Sequence, residues 1–239
     1  MTRHKMTRGS CIYCGKEMTR SGMAKHLLSC EQRQAAQAKA AAGKETEQTL
    51  YHLEVKDAWS GDYWLHLEMR GNAKLVSLDE YLREIWLECC GHLSAFHIGD
   101  WRYTQMFNDE LNVGDEKSMN LQVKTLFEPG LEIPYEYDFG TTSELVIKVL
   151  GERNGKPNTK HPIVLMARNY PLDFKCMVCG APATHYCTQC MYENENGECM
   201  LCDQHVEEHE CDEYGPPSQI YNSPRLGMCG YDGPAEPPY

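Results

Sequence analysis

One segment near the C-terminal end of the chain is rich in residues that bind metal ions. The 36 residues from Cys176 to Cys211 include seven cysteines and three histidines. Six of the cysteines form three pairs, in which two residues separate the partners, and two histidines follow the last pair. A two-residue gap lets both sulfurs of a tight turn face one ion, and tetrahedral zinc requires four such ligands. The segment therefore predicts two zinc sites.

The order of the three pairs favours a cross-braced arrangement. The first and third pairs would hold one ion, and the second pair would hold the other with the two histidines, which stand one helical turn apart. Cys211 and Cys229 are alternative ligands that could replace either histidine, and His185 is a further candidate. The predicted ligands are Cys176, Cys179, Cys199 and Cys202 for the first ion, and Cys187, Cys190, His205 and His209 for the second.

The N-terminal end contains a second arrangement of this kind. Cys11, Cys14, His26 and Cys30 have nearly the spacing of a zinc finger, in which two knuckle cysteines precede two ligands one turn apart on a helix. The last ligand is a cysteine where such fingers carry a histidine. We therefore expect about three Zn²⁺ ions per chain, each closed by four protein ligands as in structural sites. Such ions would replace a hydrophobic core in modules this small.

Two further cysteines, Cys89 and Cys90, are adjacent in sequence. Adjacent cysteines cannot chelate in the way that a two-residue knuckle does. We expect Cys89 to pack in the core and Cys90 to be a free thiol, with a redox role as the alternative.

A reducing compartment fits this interpretation of the cysteines. The N-terminal sequence MTRHKMTRGSC has no apolar stretch after its charges, which a secretory signal would require. No apolar run reaches the length that a bilayer span needs. We therefore predict a cytoplasmic protein without membrane contact, in which closely paired cysteines bind metal ions instead of forming a disulfide framework.

Charge is distributed unevenly along the chain, whose net charge is −12. Residues 1–44 hold nine Lys and Arg against two acidic residues, whereas residues 45–239 hold 14 against 33. From Cys176 onward there is one Arg and no Lys against eleven acidic residues. Only the basic N-terminal part is electrostatically suited to phosphate, and the acidic C-terminal part favours a protein partner.

The sequence divides into four parts with different compositions. We predict a Cys/His zinc finger over 1–30, an Ala- and Gln-rich helical linker over 31–48, an α+β core domain over 49–170, and a C-terminal zinc module with a Pro- and Gly-rich tail over 171–239. One extended helix is expected from Ser21 to about Ala42, because Ala is the strongest helix former. The tail has no periodicity and predicts extended chain, tied down by Cys229 and loose at its end.

The core domain combines strand and helix patterns. The segments TLYHLEV, YWLHLEMRG and HPIVLMA predict strands, and LEIPYEYDFG and SELVIKVLGER predict a hairpin joined through Gly140. SLDEYLREIWLECC places apolar residues at helical spacing, with Ser77 as the N-cap and Glu80 completing a capping box. Strands outnumber helices without alternating with them, so we predict an α+β central domain flanked by two small zinc-binding modules.

These core segments also resemble a known family. YHLEVKDAWSGDYWLHLEM, LVSLDEYLREIWLECCGHLSAFHIG and EIPYEYDFG are similar to the Ri-plasmid open-reading-frame-three-like family, often described as resolvase-like passengers of mobile elements. The tail YNSPRLGMCGYDG, after HEC, is similar to the ending of its zinc-bearing members. The resemblance covers about residues 49–150 and 176–233. It implies a compact α+β fold and no established reaction.

Two departures from the family pattern concern polar positions. Thr141 and Thr142 stand where the family carries an acid and a tryptophan, and Leu65 and His66 replace a tryptophan–arginine pair. The chain also lacks a serine- or tyrosine-recombinase constellation that would support the resolvase description.

Three functional hypotheses follow from these observations. The leading one is a zinc-stabilised, non-enzymatic binding or adaptor protein with a protein partner. The first alternative is a nucleic-acid-associated regulator that binds through residues 1–44, because basic side chains lie on or near the finger helix. The second alternative is a metal-dependent hydrolase centred on Asp138, with Glu132, Glu136 or His97 beside it. The basic side chains of the first alternative are Lys16, Arg20, Lys25 and Arg33.

Overall fold

A large mixed sheet with few helices dominates the structure, a computed structural model that describes residues 6–106, 114–211 and 213–236. The strand order is β2-β1-β10-β4-β3-β9-β8-β5-β6-β7, and each described neighbouring pair is antiparallel except the parallel pair β6–β7. The strands are β1 (Arg8–Cys11), β2 (Glu17–Thr19), β3 (Gln48–Asp57), β4 (Trp64–Arg70), β5 (Ser94–Ile98), β6 (Trp101–Thr104), β7 (Glu116–Ser118), β8 (Glu132–Tyr137), β9 (Ser143–Gly155) and β10 (Ile163–Asn169).

In the described residues, three helices lie between strands of this sheet in the sequence, and two short helices and a small second sheet follow it. The helices are α1 (Arg20–Ser29), α2 (Glu31–Ala41), α3 (Leu75–Leu82), α4 (Thr188–Glu193) and α5 (Asp203–Glu207), with a π-helical turn at Arg83–Leu87 and a 3₁₀ turn at Val123–Thr125. The second sheet has the order β12-β11-β13 and consists of β11 (His185–Tyr186), β12 (Met200–Leu201) and β13 (Ser218–Gln219). No helix in the described parts of the chain combines the length and apolar character that a bilayer span requires.

Strands β3, β4 and β10 cover the segments TLYHLEV, YWLHLEMRG and HPIVLMA. Strands β8 and β9 form the predicted hairpin, in which Tyr137 pairs with Ser143. The alternating burial of β9 explains its clear pattern, since its inward side chains Leu145, Ile147 and Val149 are all buried. The short strands β5, β6 and β7 were not anticipated from the sequence.

Helix α3 packs its apolar side on the sheet and begins earlier than the sequence predicts. Leu78 and Leu82 are fully buried, as is Trp86 in the π-helical turn that follows. The helix starts at Leu75, so the predicted N-cap Ser77 lies inside its first turn. The backbone N–H groups of Leu75 and Val76 donate to carbonyl groups of the 119–121 segment, and these bonds replace a side-chain cap.

The N-terminal finger is continuous with the central sheet. Strand β1 pairs with β10, and Met23 and Leu27 of α1 share a buried cluster with Trp64 and Met166 of the sheet. The prediction placed the finger in a module of its own. A hairpin and one short helix cannot enclose their own apolar side chains, so those side chains are buried against the larger domain.

The predicted single helix from Ser21 to Ala42 is divided at Cys30. This residue has an extended conformation, with φ −69° and ψ 111°, and it separates α1 from α2. The Cys30 sulfur lies 4.0 Å from the sulfur of Cys11. In a continuous helix the Cys30 side chain would point in a different direction. The helix propensity of the Ala-rich segment therefore does not extend one helix through Cys30.

Helix α2 is docked on the sheet by a buried ion pair and is not a free tether. Arg33 is buried, and its guanidinium donates to the Glu68 carboxylate at 2.8 Å and to the Leu27 carbonyl at 2.8 Å. Arg153 of β9 donates two further hydrogen bonds to the same carboxylate, at 3.0 and 2.8 Å. Because Glu68 is buried, these contacts fix the position of α2 on the sheet.

The Pro- and Gly-rich tail is also docked on the central domain. The Asn169 side-chain amide donates to Asn222 Oδ1 and the Asn222 side-chain amide donates to the Asn169 backbone carbonyl, each at 2.9 Å. The Ser223 hydroxyl donates to the Trp86 carbonyl at 2.5 Å. The Ala235 N–H donates to the Glu84 carbonyl at 2.8 Å. The tail is therefore attached along most of its described length, where the sequence predicted a loose end; residues 237–239 lie outside the described part of the chain.

Two buried histidines lie between the finger helix and the sheet. His52 Nε2 is 3.0 Å from His66 Nδ1, and His66 Nε2 is 3.2 Å from the Arg20 carbonyl oxygen. Burial, with the neighbouring His66 and then Arg33, lowers the pKa of His52 to about 3. Burial also lowers the pKa of His66 to about 4. Both imidazoles are therefore neutral in the folded protein at neutral pH.

We predict that replacing Gly9 by Ala separates the finger from the sheet. A Cβ atom at Gly9 would lie 1.9 Å from the Arg168 carbonyl oxygen, so β1 could not approach β10. Gly9→Ala should lower the free energy of unfolding by about 1–3 kcal/mol. The control is Gly151→Ala, whose Cβ would have no atom within 4 Å. Urea unfolding measures both, and equal stability of the two variants would contradict the predicted close approach.

We predict that the buried histidines destabilise the protein as pH falls. Their folded-state pKa values lie below the unfolded value near 6.5, so their contribution is fully present above that pH and is lost on acidification. Each would contribute about 1.4 kcal/mol of loss per pH unit. His52→Gln should therefore reduce the difference in unfolding free energy between pH 7.5 and 5.5, whereas exposed His161→Gln should leave it unchanged. An identical pH dependence in His52→Gln and wild type would refute this assignment.

Candidate metal centres

The structure gathers most cysteines of the chain into four groups of the same composition. Each group contains three cysteines and one histidine, and its four ligand atoms all lie within 4.8 Å of one another. Twelve of the thirteen cysteines belong to these groups. We name them the finger quartet (Cys11, Cys14, His26, Cys30), the loop quartet (Cys89, Cys90, His92, Cys229), the knuckle quartet (Cys176, Cys179, Cys202, His205) and the distal quartet (Cys187, Cys190, His209, Cys211).

Distances within these groups match the edges of a tetrahedron around one ion. A Zn–S distance of about 2.3 Å gives sulfur–sulfur edges of about 3.8 Å. The Cys179–Cys202 and Cys190–Cys211 sulfurs are each 3.8 Å apart. A disulfide would require about 2.05 Å, so the structure brings these thiols together without joining them. The arrangement is compatible with metal ions bound by thiolate and imidazole.

The finger quartet is assembled by the β1–β2 hairpin and helix α1. Cys11 ends β1, and the following turn closes with a hydrogen bond of 2.8 Å from the Gly15 N–H to the Cys11 carbonyl. Gly15 has φ +71°, a conformation that glycine adopts without steric strain. His26 projects from α1 so that its Nε2 lies 3.2 Å from the Cys14 sulfur. The four residues predicted for this site are therefore close in space.

The knuckle quartet repeats this turn. The Gly180 N–H donates to the Cys176 carbonyl at 2.9 Å, and Gly180 also has φ +71°. Burial opposes ionisation of Cys176, but hydrogen bonds from backbone N–H groups, first that of Cys179 and then that of Val178, lower its pKa to about 6. The Cys176 sulfur is therefore a thiolate at neutral pH, which is the form that binds metal ions.

The distal quartet lies around helix α4. The Cys190 N–H donates to the Cys187 sulfur at 3.4 Å, and the Cys190 sulfur lies 3.5 Å from His209 Nε2. Burial, together with the neighbouring Cys187 and Cys211, raises the pKa of Cys190 to about 12. Because three thiols crowd together here, their joint ionisation requires a compensating cation.

The grouping of ligands differs from the predicted cross-brace at Cys199. This cysteine is buried beside Tyr186 and Leu201 in the small apolar cluster of the module and belongs to no quartet. His205 takes its place beside Cys202, with Nδ1 and the sulfur 3.3 Å apart, because Cys202 is the N-cap of α5 and His205 lies in the helix three residues later. Cys211, an alternative ligand in the sequence analysis, joins the distal quartet. His185 instead lies in β11, where its Nδ1 is 3.0 Å from the Thr184 hydroxyl.

The loop quartet was not anticipated as a metal centre. The sequence predicted a core residue and a free thiol at Cys89 and Cys90, because adjacent cysteines lack knuckle spacing. The structure adds His92 and the distant Cys229 to them. No local spacing could have revealed this group, since Cys229 follows His92 by 137 residues. Cys229, the other alternative ligand of the sequence analysis, therefore lies in this group and not in the C-terminal module.

The three carboxylates of the hydrolase hypothesis each contact a different side chain. Asp138 pairs with Arg225 at 2.5 Å, Glu132 with Lys148 at 2.6 Å, and Glu136 lies 3.3 Å from His97 Nε2. Burial disfavours ionisation of Asp138, but hydrogen bonds from Arg225 and from the Thr141 and Gly140 N–H groups hold its pKa below the usual range. Asp138 has φ +65° and lies beyond the end of β8, so strand alternation does not align it with Glu136.

Two of the basic side chains near the finger helix are committed to internal contacts. Arg33 is buried in the ion pair with Glu68, and Arg20 donates to the Gly61 carbonyl at 2.9 Å. Lys16 and Lys25 are exposed. Arg3 and Lys5, which contribute to the basic charge of residues 1–44, lie outside the described residues. The finger therefore presents fewer basic side chains than its sequence indicates.

We predict that two neighbouring cysteines differ in their effect on metal content. Cys202→Ser should lower the bound metal by about one ion per chain, because three remaining ligands bind a structural ion weakly. Cys199→Ser should leave the metal content unchanged, because Cys199 lies outside the quartets. Elemental analysis of the purified variants measures both. Loss of one ion in Cys199→Ser as well as in Cys202→Ser would contradict this grouping and restore the cross-brace predicted from the sequence, in which both cysteines hold the first ion.

Comparison with known proteins supplies a family but no activity. No curated protein matches the chain. One matching solved structure bears the description "Crystal Structure of Protein of Unknown Function MM3350 from Methanosarcina mazei Go1"; it is 18% identical, covers 52% of this chain and 72% of that chain, and has a TM-score of 0.45. The family described as "Plasmid pRiA4b ORF-3-like protein" matches residues 49–174, which is more than half of the 239 residues. This chain therefore belongs to the plasmid pRiA4b ORF-3-like protein family.

Proposed function

We propose that this protein is a non-enzymatic binding protein whose ends are stabilised by zinc and whose acidic C-terminal module binds a basic segment of a protein partner. The observation that carries this proposal is a carboxylate-rich surface with no exposed cation in the described residues from Cys176 onward. Arg225, the one basic Lys or Arg side chain of this segment, is buried. The exposed acidic residues are Glu193, Glu195, Glu198, Asp203, Glu207, Glu208, Glu210 and Glu213 in the module, with Asp232 and Glu236 further along the tail.

Two exposed tyrosines give this acidic surface an aromatic contact point. Tyr192 is 61% exposed and Tyr214 is 55% exposed, and their ring centroids are 5.9 Å apart. Glu193 and Glu213 are their direct sequence neighbours. Aromatic faces attract Lys and Arg side chains, and nearby carboxylates strengthen that attraction. The combination supports recognition of a Lys- or Arg-rich segment.

Zinc is the metal that best fits the finger, knuckle and distal quartets. Soft thiolates combined with imidazole select Zn²⁺ over oxygen-preferring cations such as Mg²⁺. Four protein ligands leave no open position for a substrate, which supports a structural role. A bound zinc ion would supply folding free energy that the small apolar cluster around Tyr186 and Leu201 cannot provide. Two of these three ions, those of the knuckle and distal quartets, would then keep the partner-binding module folded.

The distribution of charged side chains makes nucleic acid a weaker candidate for the partner. Phosphate groups would be repelled by the C-terminal module. At the finger, Arg20 and Arg33 are engaged inside the protein, so the basic charge available to a phosphate backbone is reduced.

We predict that a fluorescein-labelled, Lys-rich peptide binds the full-length zinc-loaded protein, and that a fluorescein-labelled DNA duplex, titrated separately, does not. Glu193→Gln combined with Glu213→Gln should weaken peptide binding about three- to tenfold, since each exposed charge contributes up to about 1 kcal/mol. Tyr192→Ala should weaken it further through loss of the aromatic contact. Fluorescence anisotropy at two salt concentrations gives the dissociation constants.

The matched control is Asp100→Asn combined with Glu128→Gln, which removes two exposed charges from the central domain. This variant should bind the peptide as wild type does. Equal weakening in both double variants would indicate attraction by net charge alone, and tighter binding of DNA than of peptide would favour the nucleic-acid hypothesis. Either result contradicts the proposed surface.

A further inference from the structure

We propose that the loop quartet is a fourth zinc site, which fastens the C-terminal tail to the central domain. Three of its ligands, Cys89, Cys90 and His92, lie in the loop between the π-helical turn and strand β5. The remaining ligand, Cys229, comes from the tail. One ion would therefore connect two segments that are far apart in sequence.

The distances support a single ion at the centre of this group. The Cys90 sulfur lies 3.8 Å from that of Cys89 and 3.7 Å from that of Cys229. His92 Nε2 is 3.0 Å from the Cys90 sulfur and 3.2 Å from the Cys229 sulfur. Sulfur–sulfur edges near 3.8 Å are those of a tetrahedral zinc centre. The loop quartet therefore has the dimensions of the knuckle and distal quartets.

Its composition supports the same conclusion. Each of the four quartets contains three cysteines and one histidine, and together they include every cysteine except Cys199. Adjacent cysteines do not form a knuckle, but Cys89 and Cys90 both reach the centre because the backbone leaves helical geometry at Glu88, where φ is −66° and ψ is 120°. The turn in the chain places both sulfurs on one side.

The two described non-glycine residues with positive φ both adjoin this centre. They are Cys229, with φ +49°, and Asp138, with φ +65°. Such conformations cost about 1 kcal/mol or more and persist where surrounding interactions hold them. Zinc binding to Cys229 would compensate for its conformation, and Asp138 is held by its hydrogen bonds to Arg225, Gly140 and Thr141.

Arg225 connects the centre to the tail through a second contact. Its guanidinium lies 2.5 Å from Asp138 Oδ2 and 3.5 Å from the Cys89 sulfur, and the side chain is fully buried. Asp138 Oδ2 in turn lies 3.4 Å from His92 Nε2. Hydrogen bonds from a neighbouring cation stabilise a ligating thiolate and orient the ligands around it. The tail therefore supplies both a ligand, Cys229, and a positioning residue, Arg225.

The loop quartet is more accessible to solvent than the other three. Cys90 and Cys229 are exposed, Cys89 and His92 are half-buried, and each of the other quartets contains at least two buried ligands. An ion held by exposed ligands exchanges more readily than a buried one. We therefore expect this ion to leave first during chelation, and its departure to release the tail while the other centres remain intact.

The test uses the full-length protein, expressed and purified in reducing buffer with zinc. Elemental analysis should give four ions per chain for wild type, and three for Cys229→Ser and for Cys90→Ser. The control Cys199→Ser should retain four. Hydrogen–deuterium exchange then follows the tail, where the Tyr231 N–H donates to the Met228 carbonyl at 2.9 Å. Removal of the first ion from wild type by EDTA should raise exchange in this segment, and Cys229→Ser should show raised exchange before EDTA is added.

Because Cys90 is exposed, Cys90→Ser can be expected to fold even if the tail variant does not, and protection of strand β9 verifies this in each sample. Three ions in wild type, or four in both Cys229→Ser and Cys90→Ser, would overturn the fourth site. A wild-type mass lower by two hydrogens under reducing conditions, with Cys90 linked to Cys229, would show a disulfide in place of the fourth zinc site. An EDTA-released ion that leaves tail exchange unchanged would refute the role in fastening the tail.

Discussion

At both ends of this protein, three cysteine sulfurs and one imidazole share a small volume. Two unit charges 4 Å apart repel by about 4 kcal/mol at an effective dielectric constant of 20. The sulfurs of Cys190 and Cys211 are 3.8 Å apart, and the pKa of Cys190 is raised to about 12. A divalent cation converts this repulsion into attraction. Under the proposed zinc binding, one kind of interaction would position the turns, short helices and tail around the quartets, since the apolar clusters at the ends are small.

Buried arginines complete the attachment of the flanking segments to the sheet. Arg33 joins α2 to the Glu68 carboxylate, and Arg225 joins the tail to Asp138. Replacing a buried ion pair by apolar groups is often neutral for stability, whereas breaking one is costly because a buried charge remains. We therefore regard these pairs as determinants of where α2 and the tail dock. Each holds a segment of low apolar content against a sheet whose own core is extensive.

The sequence predicted the features that local patterns determine. Strands β3, β4, β9 and β10 have long apolar or alternating runs, and the finger ligands have a recognisable spacing. The short strands β5–β7 carry too little periodicity to be recognised, and the helix break at Cys30 accompanies a contact with Cys11, which is distant in sequence. In the C-terminal module, the spacing predicted cysteine and histidine side chains that do lie in clusters, but it grouped Cys199 with them, because the burial of Cys199 beside Tyr186 is a tertiary effect. The association of Cys229 with Cys90 involves a separation of 139 residues, which no local motif can encode.

The segment Tyr135–Gly140, on which the family resemblance is most distinct, has a structural explanation in this chain. Tyr135 is buried and donates its hydroxyl hydrogen to Asp79, a buried carboxylate that also binds Arg83. Asp138 leaves the strand with positive φ, closes the turn through Gly140, and receives Arg225 from the tail. A carboxylate bound by a buried guanidinium and two backbone N–H groups has little freedom to act as a general base. Its position beside His92 instead relates this segment to the metal centre that we propose for the tail.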